Sequence, residues 1–383
     1  MSNIIMNVLI FTGFYLPGYK GGGPIKTIKN LVSQTDSEIV YNLVTGDRDF
    51  GDSLPYVSVK HGQWNQTDGA EVFYIQPGVK GYKQIIKILD DKKYYIIYLN
   101  SFFSLRFSLF PLLVAKVLRR KIVLGPRGEF SKGALALKSK KKRSFINLYK
   151  LLNLHHGVIY QASSIYEAED IKRVLGPNVD IQIAEDIGGQ EFSKEIPLST
   201  QDELKAVFIS RISPKKNILL ALNVLKNVES KVFYDIYGPI EDRDYWAKCE
   251  SVIANLPSNI QVNYNGELRP EEVVDTLSNY DLFFMPTKGE NYGHVIAEAL
   301  CAGLPLLISD TTPWRNLSEQ GLGWDLPLDN PSAFTDAINK LAVMSKDDHH
   351  AMRKNVLEWA RNKFAQRDAI DANIAMFEYA ANK

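Results

Sequence analysis

Residues 282–308 read LFFMPTKGENYGHVIAEALCAGLPLLI and contain one complete strand–helix–strand unit. An apolar run at 282–285 ends in Pro-Thr, a glycine-containing turn leads to a helical pattern from Gly293, and a second apolar run follows at 306–308. Short apolar runs are typical of buried parallel strands, and parallel pairing needs a crossover such as this helix. The stretch therefore predicts an α/β fold with a parallel sheet.

The same alternation extends in both directions from this unit. On the C-terminal side of a polar stretch at 188–203, the other predicted strands are 206–210, 232–237 and 260–263, and helices are predicted from Ile218, Asp244, Pro270 and Ser332, with a terminal helix pair over 347–381. Before that stretch, strands are predicted at 4–11, 39–44, 72–75, 94–99, 122–124, 158–160 and 181–183, and helices at 25–33, 105–118 and 164–175. We predict two doubly wound domains, 1–190 and 204–364, followed by a C-terminal helix at 365–383. Ligands bind at the carboxyl ends of such sheets, so the active site is expected in a cleft between the domains.

The composition excludes several protein classes. The 383 residues are 45% hydrophobic and 23% charged, with two cysteines, which excludes disordered, collagenous and disulfide-stapled chains and predicts a reducing compartment. The apolar residues 1–16 lack a basic region and a cleavage site, so we predict a first strand there rather than a signal peptide. Polar residues interrupt the apolar stretch 94–118, so no membrane span is predicted.

The net charge of +1 conceals two oppositely charged halves. Lys and Arg outnumber Asp and Glu by nine in residues 1–186, whereas the acids exceed the bases by eight in residues 187–383. Residues 116–143 carry eleven basic side chains and one acid, Glu129. This stretch is either a solvated surface or the contact for an anionic partner such as a membrane, a lipid phosphate or nucleic acid.

A glycine-rich loop follows the first predicted strand. It reads GYKGGGP at 18–24 and leads directly into a helix. Glycines allow close backbone approach and a helix start offers N–H groups to an anion, so the loop is a candidate phosphate or sugar contact, with a plain tight turn as the alternative. It matches neither the dinucleotide fingerprint nor a Walker A loop.

Two further loops carry charged candidates. Arg211 and Lys216 lie in the turn SRISPKKN at 210–217, where both cations are able to face one anion. Glu290 precedes the helix that begins at Gly293, and Glu298 lies on an otherwise apolar face of it. A carboxylate on such a face needs polar partners, and ribose hydroxyls would serve.

Other motifs give weaker evidence for a functional site. The Asp-x-Asp patterns at 47–49 and 242–244 lack clustered ligands, so no metal is assigned. His155 and His156 are expected to end a basic helix, where the helix dipole favours them. A capping box is expected from Ser164 and Glu167. The residues point to no catalytic base.

Together these motifs resemble the GT-B-fold glycosyltransferases, most closely the large retaining family of the glycosyltransferase family 4 type. The resemblance covers essentially the whole chain and is most specific over 204–325. The segments PRGE at 126–129 and TPWR at 312–315 resemble a bacterial surface-polysaccharide and lipopolysaccharide branch. The resemblance to this family implies two Rossmann-like domains that face each other across a cleft. It also implies that the last helix crosses back to the N-terminal, acceptor-side domain. It also implies a hexosyltransferase-type enzyme that retains the configuration of the sugar.

The resemblance assigns roles to the candidates. Arg211 and Lys216 would hold the donor diphosphate, and with Glu290 they are the catalytic candidates. Glu290 would contact the donor sugar, and Glu298 would bind the ribose. The remaining donor-binding residues are Gly22, Gly23, Asn291, Tyr292 and Gly293, and Lys26 and Arg127 lie on the acceptor side. No cofactor and no metal are implied, because the nucleotide-sugar, commonly a UDP-sugar, is a substrate.

The implied partners are the nucleotide-sugar donor, a lipid-linked glycan acceptor and the inner-membrane surface, contacted through 116–143; nucleic acid is not expected. The expected location is cytoplasmic, peripheral on the inner face of the cell membrane. The chain departs from the family at 184–188, where AEDIG replaces a Pro-Asn-Gly turn, and at 313–316, where PWRN replaces a Gly and a Glu. A nucleotide-sugar epimerase of similar fold is the alternative function, and a non-catalytic binding protein ranks below it.

Overall fold

The computed structural model describes residues 6–136, 139–197 and 203–383, which fold as two units. Unit 1 runs to Ile187 and includes Arg367–Lys383, and unit 2 is Gly188–Gln366. The chain therefore passes between the units twice, at 187/188 and at 366/367. The domain limits drawn from the sequence differ slightly, because residues 188–190 and 365–366 group with unit 2.

Unit 1 is built on an eight-stranded sheet within the described residues. Its strands are β1 (Met6–Phe11), β2 (Ile39–Gly46), β3 (Trp64–Thr67), β4 (Ala70–Ile75), β5 (Ile96–Leu99), β6 (Lys121–Leu124), β7 (Val158–Ala162) and β8 (Asp180–Ile183). The order is β3-β4-β2-β1-β5-β6-β7-β8, and all pairs are parallel except β3 with β4. The chain reverses its direction of winding between β1 and β5, which is where such sheets bind ligands.

Helices cover both faces of this sheet. On one face lie α1 (Gly23–Thr35) and α13 (Asp368–Asn382), the terminal segment that returns to unit 1. On the other lie α2 (Val79–Asp90), α3 (Phe110–Val117), α5 (Ser139–Leu151) and α6 (Ile165–Leu175), and the short α4 (Lys132–Ala136) precedes α5. The central strands β5, β6 and β7 are buried on both faces, as their continuous apolar runs predict.

Unit 2 contains a six-stranded parallel sheet. Its strands are β9 (Leu204–Ile209), β10 (Val232–Tyr237), β11 (Ile260–Tyr264), β12 (Leu282–Met285), β13 (Leu306–Ser309) and β14 (Gly323–Leu326). Their order, β11-β10-β9-β12-β13-β14, is the 3-2-1-4-5-6 order of a Rossmann sheet. The switch point of unit 2 therefore lies between β9 and β12.

The helices of unit 2 follow the predicted alternation. They are α7 (Ile218–Leu225), α8 (Arg243–Ile253), α9 (Val273–Ser278) after a 3-10 turn at Pro270–Glu272, α10 (His294–Cys301), α11 (Pro331–Ala342) and α12 (Lys346–Ala365). The long α12 is fixed by the buried guanidinium of Arg353, which donates to the carbonyls of Gly303 and Ser278.

Several local expectations from the sequence are wrong. Strands β3 and β14 were not predicted, because WNQT and GWDL show no apolar run. The helix expected over 105–118 begins as a π-helical turn, Leu105–Leu109, because the ring of Pro111 disfavours a regular α-turn before it. The two histidines lie beyond the basic helix, since α5 ends at Leu151 and Asn153 adopts a left-handed conformation (φ 53°).

Some expectations fall partly outside the described residues. The first predicted strand includes residues 4 and 5, the basic stretch includes 137–138, and the polar stretch includes 198–202. Among the described helices, none is both long enough and apolar enough to span a bilayer.

Candidate functional site

The switch point of unit 2 brings two of the predicted loops together. The turn after β9 carries Arg211 and Lys216, and the turn after β12 carries Glu290 and leads into α10. Because β9 and β12 are neighbours in the sheet, the carboxyl ends of both strands open at the same place. Both turns therefore lie at the carboxyl edge of the sheet, where ligands of such sheets bind.

Backbone and polar side-chain bonds join the two turns. Asn217 adopts a left-handed conformation (φ 63°), and its buried side chain donates to the carbonyl of Pro286 at 2.9 Å. The backbone N–H of Lys288 donates to the carbonyl of Lys215 at 2.8 Å. Thr287 donates to Glu290 Oε1 at 2.9 Å. The two turns therefore form one braced structure in which the positions of the charged side chains are fixed.

The centre of this structure is an ion pair. Lys216 Nζ lies 2.7 Å from Glu290 Oε1, and the two side chains are only 13% and 10% exposed. Burial acts to raise the pKa of the Glu290 carboxyl, but the attraction of Lys216 and Lys215 and the hydrogen bonds from Lys216 and Thr287 outweigh it. The pKa of Glu290 therefore lies below its ordinary value, and the carboxylate is charged at neutral pH.

Arg211 has a different partner from Lys216. Its guanidinium pairs with Glu241 at 3.2 Å, and about a third of each side chain remains exposed. Exposed pairs of this kind contribute little and exchange partners easily. Arg211 is therefore placed to accept an anionic ligand at small energetic cost.

The start of α10 supplies the backbone of the candidate site. Gly293 is left-handed (φ 84°), and a Cβ there would also lie 2.9 Å from Ile296 Cδ1. Tyr292 is buried, with its ring 5.5 Å from that of Trp314, whose Nε1 donates to the Tyr292 carbonyl at 2.6 Å. The loop over 290–293 is thus supported by the packing and hydrogen bond of Trp314. Glu298 is half-buried within α10.

The glycine loop lies at the switch point of unit 1. Gly22 caps α1 with a positive φ of 67°, and Gly23 is the first residue of that helix. The carboxylate of Asp49 accepts from the backbone N–H groups of Tyr19 and Lys20 at 2.8 and 3.1 Å. The Asp-x-Asp pattern at 47–49 therefore orders this loop. Lys26 lies in the first turn of α1 and is half-buried.

Arg127 lies in a buried polar network of unit 1. It has a positive φ of 57° and pairs with Asp186, while its guanidinium also donates to Asn100 Oδ1 at 2.6 Å and to Gln161 Oε1 at 3.1 Å. Asp186 also accepts from Thr27 of α1 at 2.9 Å. Asp186, which lies in the 184–188 departure from the family, is thereby fixed in the interior of unit 1. A role of Arg127 toward the acceptor stays a prediction.

The other carboxylates of the sequence motifs also have identified partners. Asp242 caps α8 by accepting from the N–H of Tyr245 at 2.9 Å. Glu167 accepts from the N–H and hydroxyl of Ser163, while Ser164 accepts from the N–H of Glu167. Across 6–136, 139–197 and 203–383, no three His, Cys, Asp or Glu side chains are arranged to hold a metal ion.

Comparison with known proteins shows a family similarity over the part of the chain that carries this site. Residues 189–359 match the family model "Glycosyl transferases group 1". This part of the chain is similar to that family. The match includes the turn with Arg211 and Lys216 and the whole of α10.

One curated relative and two solved structures extend the comparison. The chain is 24% identical over 308 residues to an uncharacterized 41.2 kDa protein in the cps region of Klebsiella pneumoniae, covering 77% of this chain and 81% of that one. Anabaena Alr3699/HepE, solved with UDP and glucose, superimposes with a TM-score of 0.71 at 17% identity, covering 99% of this chain and all of the other. Sucrose-phosphate synthase of Thermosynechococcus elongatus gives a TM-score of 0.73 at 13% identity, with 99% and 100% covered. The predicted GT-B fold with two parallel-sheet domains is confirmed.

The residues around the candidate site that the sequence analysis missed are neutral and polar or aromatic. Asn217 joins the two turns through the carbonyl of Pro286, Thr287 joins them through the carbonyl of Lys215, and Trp314 supports Tyr292. Polar residues that directly follow an apolar strand are the signal for Thr287. The indole contact of Trp314 had no signal in the sequence, because it depends on how the turn after β13 folds back on α10.

Proposed function

We propose that this protein is a retaining, hexosyltransferase-type glycosyltransferase. It moves a sugar from a UDP-sugar to a lipid-linked or oligosaccharide acceptor in the synthesis of a bacterial surface polysaccharide, an O-antigen or a capsule. The observation that carries the proposal is the buried Lys216–Glu290 pair at the switch point of unit 2, beside Arg211 and the start of α10. The UDP and glucose bound to the Anabaena protein and the cps-region relative support the donor and the pathway.

The charges suit a diphosphate leaving group. Arg211 and Lys216 hold the two phosphates and neutralise the charge that develops on the departing UDP, so no metal ion is needed. The acceptor oxygen bonds to the anomeric carbon on the face that the diphosphate leaves. Its proton passes to the departing phosphate oxygen, and the sugar keeps its configuration. The missing catalytic base is expected for this route.

The other candidates orient the two substrates. Glu290 contacts the donor sugar, Glu298 binds the ribose hydroxyls, and backbone groups of Asn291, Tyr292 and Gly293 hold the donor. Gly22 and Gly23 contribute backbone groups to the diphosphate. Lys26 and Arg127 act on the acceptor side.

A ligand-binding series tests this assignment. Thermal unfolding of the unmutated protein is followed with UDP, GDP, ADP and NAD, since a ligand that binds the folded state raises its apparent stability. UDP is expected to stabilise the protein, and Glu298→Ala is expected to lose most of that shift. Glu250→Ala, an exposed substitution on α8, is the matched control.

Product analysis completes the test. Incubation with UDP-sugars and acceptor is expected to release UDP and transfer the sugar, and Arg211→Ala is expected to lower turnover more than donor affinity. Interconversion of the UDP-sugar without an acceptor would favour the epimerase instead. Stabilisation by NAD alone, or unchanged transfer in both variants, would refute the site assignment.

The acceptor-side unit has a surface suited to an anionic membrane. Val117 at the end of α3 is 82% exposed, and Leu148 and Leu151 of α5 are 54% and 81% exposed. Lys116 donates to the carbonyl of His156 at 2.6 Å, which places the end of α3 beside the turn after α5. Exposed leucines beside clustered Lys and Arg side chains bind anionic lipid interfaces. We therefore place the protein at the inner face of the cell membrane as a peripheral protein.

Vesicle sedimentation tests the membrane contact. The protein is expected to sediment with vesicles that contain phosphatidylglycerol and to remain free of neutral phosphatidylcholine vesicles. Leu151→Glu is expected to weaken sedimentation several-fold, whereas Val343→Glu, at a 79% exposed valine of unit 2, is expected to leave it unchanged. Equal sedimentation of both variants would exclude this surface.

A further inference from the structure

A chain of aromatic side chains runs from the donor loop, residues 290–293, through unit 2. The ring of Tyr292 lies 5.5 Å from that of Trp314, and the ring of Trp314 lies 6.4 Å from that of Phe364. Trp314 is 8% exposed and Tyr292 is 4% exposed. The indole N–H of Trp314 donates to the Tyr292 carbonyl at 2.6 Å. The two residues are therefore held by a directional hydrogen bond as well as by packing of their rings.

The chain of rings ends where the polypeptide passes between the units. Phe364 lies in the last turn of α12, next to the second crossing at 366/367. A Cβ on Gly188, the first residue after the first crossing, would lie 2.6 Å from Phe364 Cδ1 and 3.1 Å from the Tyr292 hydroxyl. The close packing of Gly188 on both rings means that the loop and the first crossing cannot shift independently.

A second set of contacts connects the same places. Helix α10 begins at the donor loop and ends at Cys301, whose carbonyl accepts from the N–H of Ser193 at 3.0 Å. Arg361 of α12 donates to the carbonyl of Ser193 at 3.2 Å. The segment 188–193 is thereby attached to both α10 and α12. The donor loop and the two crossing segments form one packed assembly.

We propose that Trp314 is a positioning residue that fixes the donor loop and couples donor binding there to the backbone at both crossings. The proposal rests on the proposed function, since it takes UDP as the ligand of this loop. Donor binding reduces the motion of the loop. Through Trp314 and Phe364 it also reduces the motion of the backbone at 188–193 and 361–366. The departure from the family at 313–316 thus has a role in this chain.

Hydrogen exchange on the full chain tests the coupling. UDP is expected to slow amide exchange at 188–193 and at 361–366 in the unmutated protein. Trp314→Phe keeps a ring but removes the indole N–H, so it is expected to lose this protection and to raise the Kd for UDP roughly three- to tenfold, the effect of one hydrogen bond. Turnover at saturating donor is expected to change less than twofold. Trp324→Phe, at a partly buried tryptophan of β14 outside the ring chain, is the matched control.

Two outcomes overturn the proposal in distinguishable ways. If UDP fails to bind the unmutated protein, the proposed function and this inference both fall. If UDP binds but leaves exchange at the two crossings unchanged, or protects them equally in Trp314→Phe, the coupling alone is refuted. Phe364→Leu, which removes the last ring and leaves the indole hydrogen bond in place, is expected to lose protection at 361–366 while keeping a near-normal Kd for UDP.

Discussion

At the scale of single residues, the pairing of Lys216 with Glu290 determines the electrostatic potential that an anion experiences at the site. The two side chains are buried and 2.7 Å apart, and Glu290 is ionised because its pKa is below the ordinary value. The carboxylate therefore offsets part of the positive potential that a diphosphate would experience. This arrangement fits the proposed function, in which UDP has to leave after each turnover.

Replacing this carboxylate is expected to separate binding from turnover. Glu290→Gln removes a negative charge beside Lys216, so UDP is expected to bind several-fold more tightly, while transfer falls because the contact to the donor sugar is lost. Isothermal titration and a transfer assay measure the two effects. Glu241→Gln, at the exposed partner of Arg211, is expected to change both by less than twofold. Weaker UDP binding in Glu290→Gln would contradict this account of the pair.

The same variant is expected to differ from the unmutated protein in its response to acid. A carboxyl whose folded pKa lies below the ordinary 4.5 contributes stability above that value, and the contribution is lost as the pH falls through the folded pKa. At pH 7 the free energy of unfolding of Glu290→Gln is expected to be lower by about 1–3 kcal/mol. Urea unfolding at a series of pH values should show this difference shrinking below about pH 4. A difference that stays constant with pH would show that the charge of Glu290 is not responsible.

At the scale of elements, the glycine loop requires glycine at position 22 because of its backbone conformation, and not because a side chain there would clash. Gly22 has φ 67° and ψ −131°, which residues with a Cβ rarely adopt, although a Cβ there would meet no atom within 4 Å. Gly22→Ala is therefore expected to lower the free energy of unfolding by about 1–3 kcal/mol through backbone strain alone. Denaturant unfolding checks this, with Gly13→Ala as the control, since Gly13 has equally open space and no positive φ. Equal stability of the two variants would contradict the argument.

The elements show what the sequence could predict and what it could not. Strands such as Leu282–Met285 were predicted because buried parallel strands are continuously apolar, and the site loops follow from the rule that strand ends gather at one edge. The polar edge strand Trp64–Thr67 and the short Gly323–Leu326 carry no such signal. The direct pairing of Lys216 with Glu290 was also not predicted, because it depends on the left-handed turn at Asn217.

At the scale of the whole molecule, the last helix completes the first unit. Helix α13 covers the face of the unit 1 sheet that α1 leaves open, and Asn373 donates to the carbonyl of Glu185 at 2.8 Å. The segments on the unit 1 side of both crossings are therefore bonded to each other. Unit 1 combines the segment that ends at Ile187 with Arg367–Lys383, so its core cannot be complete until this second segment has been made.

Removal of one side chain from this helix tests that dependence. Phe377 is fully buried, and its ring lies 5.6 Å from that of Tyr98 and 6.3 Å from that of Tyr41. Phe377→Ala is expected to lower the free energy of unfolding of unit 1 by about 3–5 kcal/mol, because it removes a buried ring and leaves a cavity. Limited proteolysis is expected to cut unit 1 first, while UDP still stabilises unit 2, because most of the residues that we assign to the nucleotide, among them Arg211, Lys216 and Glu298, lie there. Glu378→Ala, at the exposed neighbouring position, is the control. Loss of the UDP shift together with unit 1 would mean that nucleotide binding depends on unit 1, and the expectation that the unit 2 residues hold UDP without it would be wrong.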